Sequence, residues 1–125
     1  MLNILHVDDS SFQRKLCMKI IENAIEGATV QSLSDEEIVQ KIEDNETFSE
    51  IDIVFTDLIM GTISGHEVAK YVKSVNPDCY VIILTSNIQA TEKDKSFENG
   101  ADYFLEKPLV EAKLLKAKEA YDERW

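Results

Sequence analysis

The stretch Ile51-Asp52-Ile53-Val54-Phe55-Thr56-Asp57 decides the fold. Its centre, Ile53-Val54-Phe55, is apolar at consecutive positions, without the in–out alternation of a strand that has one wet face. Val81-Ile82-Ile83-Leu84 repeats the pattern. Strands covered on both faces belong to parallel sheets, whose crossover connections lay helices on either side.

Working outward, short apolar runs at residues 2–7, 28–33, 51–56, 80–84 and 103–105 alternate with segments of helical period. Phe12, Leu16, Ile20 and Ala24 recur every fourth residue and predict one buried stripe on a first helix, stopped at Gly27. Ser34 with Glu37, and Ser64 with Glu67, are capping-box pairs that open the second and third helices. The third carries Val68, Val72 and Val75 before the breaker Pro77. A fourth helix, residues 91–99, closes at Gly100 and offers Phe97 as its one large apolar anchor. So little burial fits either an ordinary exposed helix or a movable one. A fifth runs from about Val110 to the end at Trp125, with Leu114, Ala117 and Tyr121 on one face. Five βα units without a linker predict one domain over residues 1–125, an α/β doubly wound parallel sheet. The pattern leaves the strand order open.

Composition narrows the function. A hydrophobic fraction of 44% in 125 residues supports a real core. A net charge of −11 argues against direct binding of nucleic acid or an anionic membrane, both of which need clustered cations. The acids read mostly as solvated helix faces, Asp35-Glu36-Glu37 among them. Cys17 and Cys79 lack a CxxC spacing or a histidine nearby and read as buried, reduced thiols of a cytoplasmic protein. The N-terminus has no basic segment before its first strand, so no signal peptide is expected.

Ligands of open parallel sheets bind beyond the carboxyl ends of the strands. Here four strands end on reactive residues: Asp8-Asp9, Thr56-Asp57, Thr85-Ser86 and Glu106-Lys107-Pro108. Singly, each has a plainer reading, Asp9 as a helix cap and Thr85 as a turn-capping hydroxyl. Together they place three carboxylates and one ammonium on one rim. Such a cluster repels itself unless a cation joins it. A hard divalent ion such as Mg²⁺ balances the charge and leaves room for phosphoryl oxygens. Asp57 would then be a carboxylate nucleophile forming an aspartyl phosphate, with Thr85 donating to a phosphoryl oxygen. His6 and His66, on a strand and a helix, read as structural or surface residues and suggest no zinc site.

On these residues the whole chain resembles the response-regulator receiver family of two-component signalling. Gly65 at the third helix and Gly100-Ala101 before the fifth strand fit as well. Asp8-Asp9-Ser10-Ser11-Phe12 with Arg14 is similar to the chemotaxis-type, single-domain branch. The resemblance implies a flavodoxin-like (βα)5 sheet in the order 2-1-3-4-5, an order the general rule for such folds already illustrates with a chemotaxis member. It implies Asp57 as phosphoacceptor, and Asp9, Asp57 and the Ile59 backbone carbonyl as Mg²⁺ ligands, with Asp8 acting through bound water. Lys107 would pair with the phosphoryl group, with Thr85 and Ser86 beside it. Phe104 would be the aromatic switch, and Lys107–Pro108 a cis bond. Upstream stands a histidine kinase or histidine phosphotransfer protein. The output is a protein target at the face of helix 4, strand 5 and helix 5, since no DNA-binding module is seen before Trp125. The only catalysis implied is gain and loss of the chain's own phosphoryl group.

Three positions depart from the family pattern. Gly61 stands where many members have Pro and predicts a looser loop. Phe104 lacks the hydroxyl of the common Tyr, so packing alone would drive the switch. Ile59 and Asn87 hold positions that tune hydrolysis, and apolar Ile59 predicts slow loss of phosphate. The rivals are a receiver-like binding module that is never phosphorylated, and a Mg²⁺-dependent phosphatase of the haloacid-dehalogenase type. The latter needs Asp-x-Asp where this chain has Asp8-Asp9-Ser10. A flavin-binding relative lacks its phosphate loop.

Overall fold

The computed structural model describes residues 1–124. The elements alternate along the chain: β1 (Asn3–Val7), α1 (Ser11–Ala24), β2 (Thr29–Leu33), α2 (Asp35–Glu43), β3 (Ile53–Asp57), α3 (Gly65–Val75), β4 (Tyr80–Thr85), α4 (Ala90–Glu98), β5 (Tyr103–Glu106) and α5 (Glu111–Asp122). All strand pairs are parallel, and the sheet order is β2-β1-β3-β4-β5. Both the class and the order agree with expectation. The order reverses between β1 and β3, so the loops after these two strands face each other across a crevice.

The sheet divides two apolar layers. Ile4, Ile53, Phe55, Ile82, Leu84 and Leu105 point to one side and pack with Cys17 and Ile21 of α1 and with Leu114, Ala117 and Tyr121 of α5. Leu5, Val7, Val54, Val81 and Ile83 point to the other, against Ile38 of α2 and Val68, Ala69 and Val72 of α3. Consecutive strand residues therefore serve opposite layers, which is why both must be apolar.

Ser34 and Ser64 each accept from the backbone N–H three residues on, and Glu37 and Glu67 return the bond to the cap residue. Each such cap contributes about 1 kcal/mol. Among the described residues no helix is long and apolar enough to cross a membrane.

Three expectations need correction. In α1 the buried residues are Cys17 and Ile21, while Phe12 is 70% exposed. A row of every fourth residue advances about 40° per step around a helix. The Phe12–Leu16–Ile20–Ala24 row therefore starts in solvent and only its later members, Ile20 and Ala24, reach the core. In α4, Phe97 is not the anchor: it is 43% exposed, and the buried residue is Ser96. Finally, α5 ends at Asp122 with Glu123 as its cap, and Trp125 lies outside the described residues.

Candidate functional site

Backbone hydrogen bonds just past the strand ends set the rim. Asp8 N donates to Leu33 O at 3.1 Å, Leu58 N to Leu84 O at 3.1 Å, and Lys107 N to Thr85 O at 2.9 Å. These bonds continue the sheet ladder by one residue. Asp8 and Asp57 thereby leave the sheet at the same level on the neighbouring strands β1 and β3, and Lys107 does so from β5, with β4 between.

Gly65 is what lets α3 begin so close to β3. A Cβ there would collide with the backbone carbonyl of Asp57. Its own N–H closes the loop on Leu58 O at 2.8 Å.

The side chains then converge. One carboxylate oxygen from each of Asp8, Asp9 and Asp57 lies within 4.8 Å of the other two. Lys107 Nζ stands 3.0 Å from Asp57 Oδ1 and 3.7 Å from Asp8 Oδ2. The first distance is a charge-assisted hydrogen bond; the second is an ion pair too long to be one. Asp8 Oδ2 is consequently buried without a hydrogen-bond partner, although Oδ1 accepts from Ser10 N at 3.0 Å.

The electrostatics are lopsided. Burial pushes the Asp57 carboxyl above its ordinary range; Lys107 opposes this, and the charge of Asp8 adds to it. Lys107 is partly desolvated too, yet its two carboxylate neighbours hold its pKa above the usual lysine value. One ammonium thus stands beside two of the three carboxylates. The cluster has a charge deficit that a divalent cation would fill.

The residues fit such an ion. Mg²⁺ binds oxygens at about 2.1 Å, so ligands on opposite sides stand about 4 Å apart. One oxygen from each carboxylate already lies within 4.8 Å of the others, so small side-chain movements would bring all three onto such an ion. The orphaned Asp8 oxygen supplies a buried acceptor with nothing else to satisfy it.

The remaining candidates lie around this cluster. Thr85 is buried, and its hydroxyl oxygen accepts from Asn87 N at 3.1 Å, the turn-capping role. Ser86 is exposed. Phe104 is half-buried in β5 and packs on the layer that holds α2 and α3. The Lys107–Pro108 peptide bond is cis. The Ile59 side chain is 71% exposed in the β3–α3 loop.

His6 is fully buried under the rim, with Nδ1 2.9 Å from Ser32 Oγ. Burial first, then the charges of Lys107 and Arg14, push its pKa down to about 4, so it is a neutral ring. Cys17 and Cys79 are free, buried thiols. The Arg14 guanidinium holds the Asp8 backbone carbonyl at 2.8 Å and so braces the β1–α1 loop.

One residue near the site escaped the sequence reading. Asp35 is not part of a solvated acidic face: it is 6% exposed, and Oδ2 accepts from both Thr62 N and Thr62 Oγ1 at 2.8 Å. This tie restrains the very loop that Gly61 led us to expect loose. No local pattern distinguishes Asp35 from the exposed Glu36 and Glu37, because its partner is 27 residues away.

The chain is similar in sequence and fold to known proteins. Residues 4–119 match the family model described as the response regulator receiver domain. The chemotaxis protein CheY of Halobacterium salinarum is 29% identical over 116 residues, 91% of each chain. A cyclic di-GMP phosphodiesterase of Thermotoga maritima is 27% identical over 117 residues, which are 94% of this chain and 30% of that protein. A solved response regulator receiver domain protein from Clostridium thermocellum superposes with a TM-score of 0.84 at 27% identity, covering 99% of this chain and 96% of the other.

Proposed function

Since the chain belongs to the response regulator receiver family, we propose that it works as a switch operated by phosphorylation of Asp57, with residues 1–125 acting as one cytoplasmic receiver domain. The observation that carries this reading is the 3.0 Å contact of Lys107 Nζ with Asp57 Oδ1 inside a cluster of three carboxylates. A nucleophilic carboxylate needs a low charge around it when a phosphoryl dianion arrives, and Lys107 is the cation already in place.

The donor is a phosphohistidine on a histidine kinase or a histidine phosphotransfer protein. An Asp57 oxygen bonds to phosphorus while the P–N bond breaks. The donor ring, protonated on its other nitrogen, leaves neutral with the bonding pair, and an acyl phosphate remains on Asp57. Asp8, Asp9 and Asp57, with the Ile59 carbonyl, would hold Mg²⁺, which supplies charge neutralisation for the phosphoryl oxygens. Lys107 pairs with one of those oxygens. Thr85, whose hydroxyl oxygen accepts from Asn87 N, donates its own proton to another, and Ser86 follows it in the chain.

The output is proposed at the face of α4, β5 and α5. Support comes from the light hold on α4, which buries only Ser96. Exposed Ile88 and Phe97 beside it leave apolar surface for a protein target. Phe104, already half-buried, would close inward by packing alone.

The test is covalent labelling by a small phosphodonor such as acetyl phosphate with Mg²⁺. The native chain should gain one phosphoryl group and Asp57→Asn none. Persistent labelling of the variant refutes Asp57 as acceptor; an unlabelled native chain means a binding module without phosphorylation.

A further inference from the structure

Asp35 is the first residue of α2, directly after the cap Ser34. An acid in this position usually faces water and needs only the helix dipole to favour it. Here the carboxylate turns inward and is covered, while Glu36 and Glu37 stay exposed. A buried carboxylate is tolerated only when hydrogen-bonded. Burial acts to raise its pKa, but the Thr62 hydroxyl and N–H and the amides of the first helical turn outweigh it and leave Asp35 below the usual carboxylate value.

The partner lies in the loop that joins β3 to α3. The loop's start is held where Leu58 N donates to Asp57 Oδ1 at 3.0 Å, and its end where Gly65 N meets Leu58 O. Between them, among the described residues, the only hydrogen bonds reaching residues 59–63 are the two from Thr62 to Asp35. Met60 and Ile63 add partial apolar packing. Gly61 completes the fit: a Cβ at this position would stand 3.3 Å from Asp35 Oδ2 and press on the carboxylate. Asp35, Gly61 and Thr62 are thus a matched set drawn from two distant parts of the chain.

We propose that Asp35 is a positioning residue for the metal site: through Thr62 it holds the loop that carries the Ile59 carbonyl in place beside the Asp8–Asp9–Asp57 cluster. The inference rests on the Mg²⁺ reading above and extends it to α2, which contributes no ligand. Positioning residues behind metal ligands typically alter affinity by about 10- to 100-fold.

The test uses the full chain with Asp35→Asn, Thr62→Val and the double variant. Thr62 is exposed, so Thr62→Val keeps the fold if Asp35→Asn does not. Amide hydrogen exchange of residues 59–63 is measured without metal. The Mg²⁺ dissociation constant is measured by calorimetry, and labelling of Asp57 by acetyl phosphate at saturating Mg²⁺. Asp35→Asn should speed loop exchange and weaken Mg²⁺ binding about tenfold, and Thr62→Val about threefold. The double variant should be little worse than Asp35→Asn, because both remove one interaction. Labelling at saturating Mg²⁺ should stay within about twofold of native, which separates positioning from general damage. If the native chain binds Mg²⁺ and neither variant changes its affinity, the role assigned to Asp35 is wrong while the phosphorylation reading stands. If the native chain binds no Mg²⁺, both fall.

Discussion

Ser96 of α4 and His66 of α3 share a 2.9 Å hydrogen bond between Oγ and Nε2. The single proton of the Ser96 hydroxyl goes to Glu92 O at 2.9 Å, so His66 Nε2–H must be the donor. An otherwise exposed helix is therefore held through a polar contact rather than an apolar anchor. Such a contact has one geometry, so it breaks outright when the helix shifts, whereas apolar packing yields gradually.

Ser96→Ala tests this hold. Losing one partly buried hydrogen bond costs about 1 kcal/mol, or roughly fivefold in a local opening equilibrium. Amide exchange across Ala90–Glu98 should speed up by about that factor, with α3 unaffected. Unchanged exchange in α4 would mean that its hold lies elsewhere.

Lys107→Met should separate binding from chemistry. Removing the ammonium takes away the cation paired with Asp8 and Asp57, so Mg²⁺ affinity should rise. Labelling of Asp57 should slow by about 10- to 100-fold, as expected for loss of a charge-assisted contact to the phosphoryl group. Calorimetry and phosphodonor kinetics read the two effects; a fall in both would contradict the charge argument.

His6 predicts acid sensitivity of the fold. Its pKa is about 4 in the folded chain against 6.5 for the free residue. A histidine with a lowered folded pKa gives its full stabilisation above pH 6.5 and loses it as pH falls through the window to 4. The difference approaches about 3 kcal/mol at the acid end. Asp57, whose pKa is raised, acts in the opposite sense, so the comparison must be against His6→Leu. Urea midpoints measured with a chelator at pH 7 and 4.5 should show the native chain losing stability relative to the variant as pH drops. Parallel profiles would contradict it.

The thiols should be inert in the folded chain. Burial pushes Cys17 up to about 11, with help from Asp8, and Cys79 up to about 12. A disulfide reagent at pH 8 meets no thiolate and little access. Titration should give no fast equivalents natively and two after unfolding, since the chain has two cysteines. Rapid native reaction of Cys17 would show that the region under the acid cluster opens.

The backbone plan was legible from local chemistry. Consecutive apolar residues in Ile53-Val54-Phe55 require two covered faces, and the Ser34/Glu37 and Ser64/Glu67 pairs mark helix starts within four residues of themselves. The carboxylates and Lys107 could be placed on one rim because parallel βα topology puts all strand ends on the same side. The resemblance, not the periodicity, supplied the order that makes β1 and β3 neighbours.

What tertiary structure alone decided are the choices between neighbouring residues. Asp35 is buried and Glu36 is not, Ser96 anchors α4 while Phe97 faces solvent, and Cys17 rather than Leu16 meets the sheet. Each depends on a partner about 30 residues away or on the angle at which a helix sits. A repeat of apolar residues fixes that some face is buried, but its phase follows from how the helix packs, and a carboxylate's solvation follows from which loop arrives beside it. Local sequence carries period and polarity; distance and orientation exist only after the chain has closed on itself.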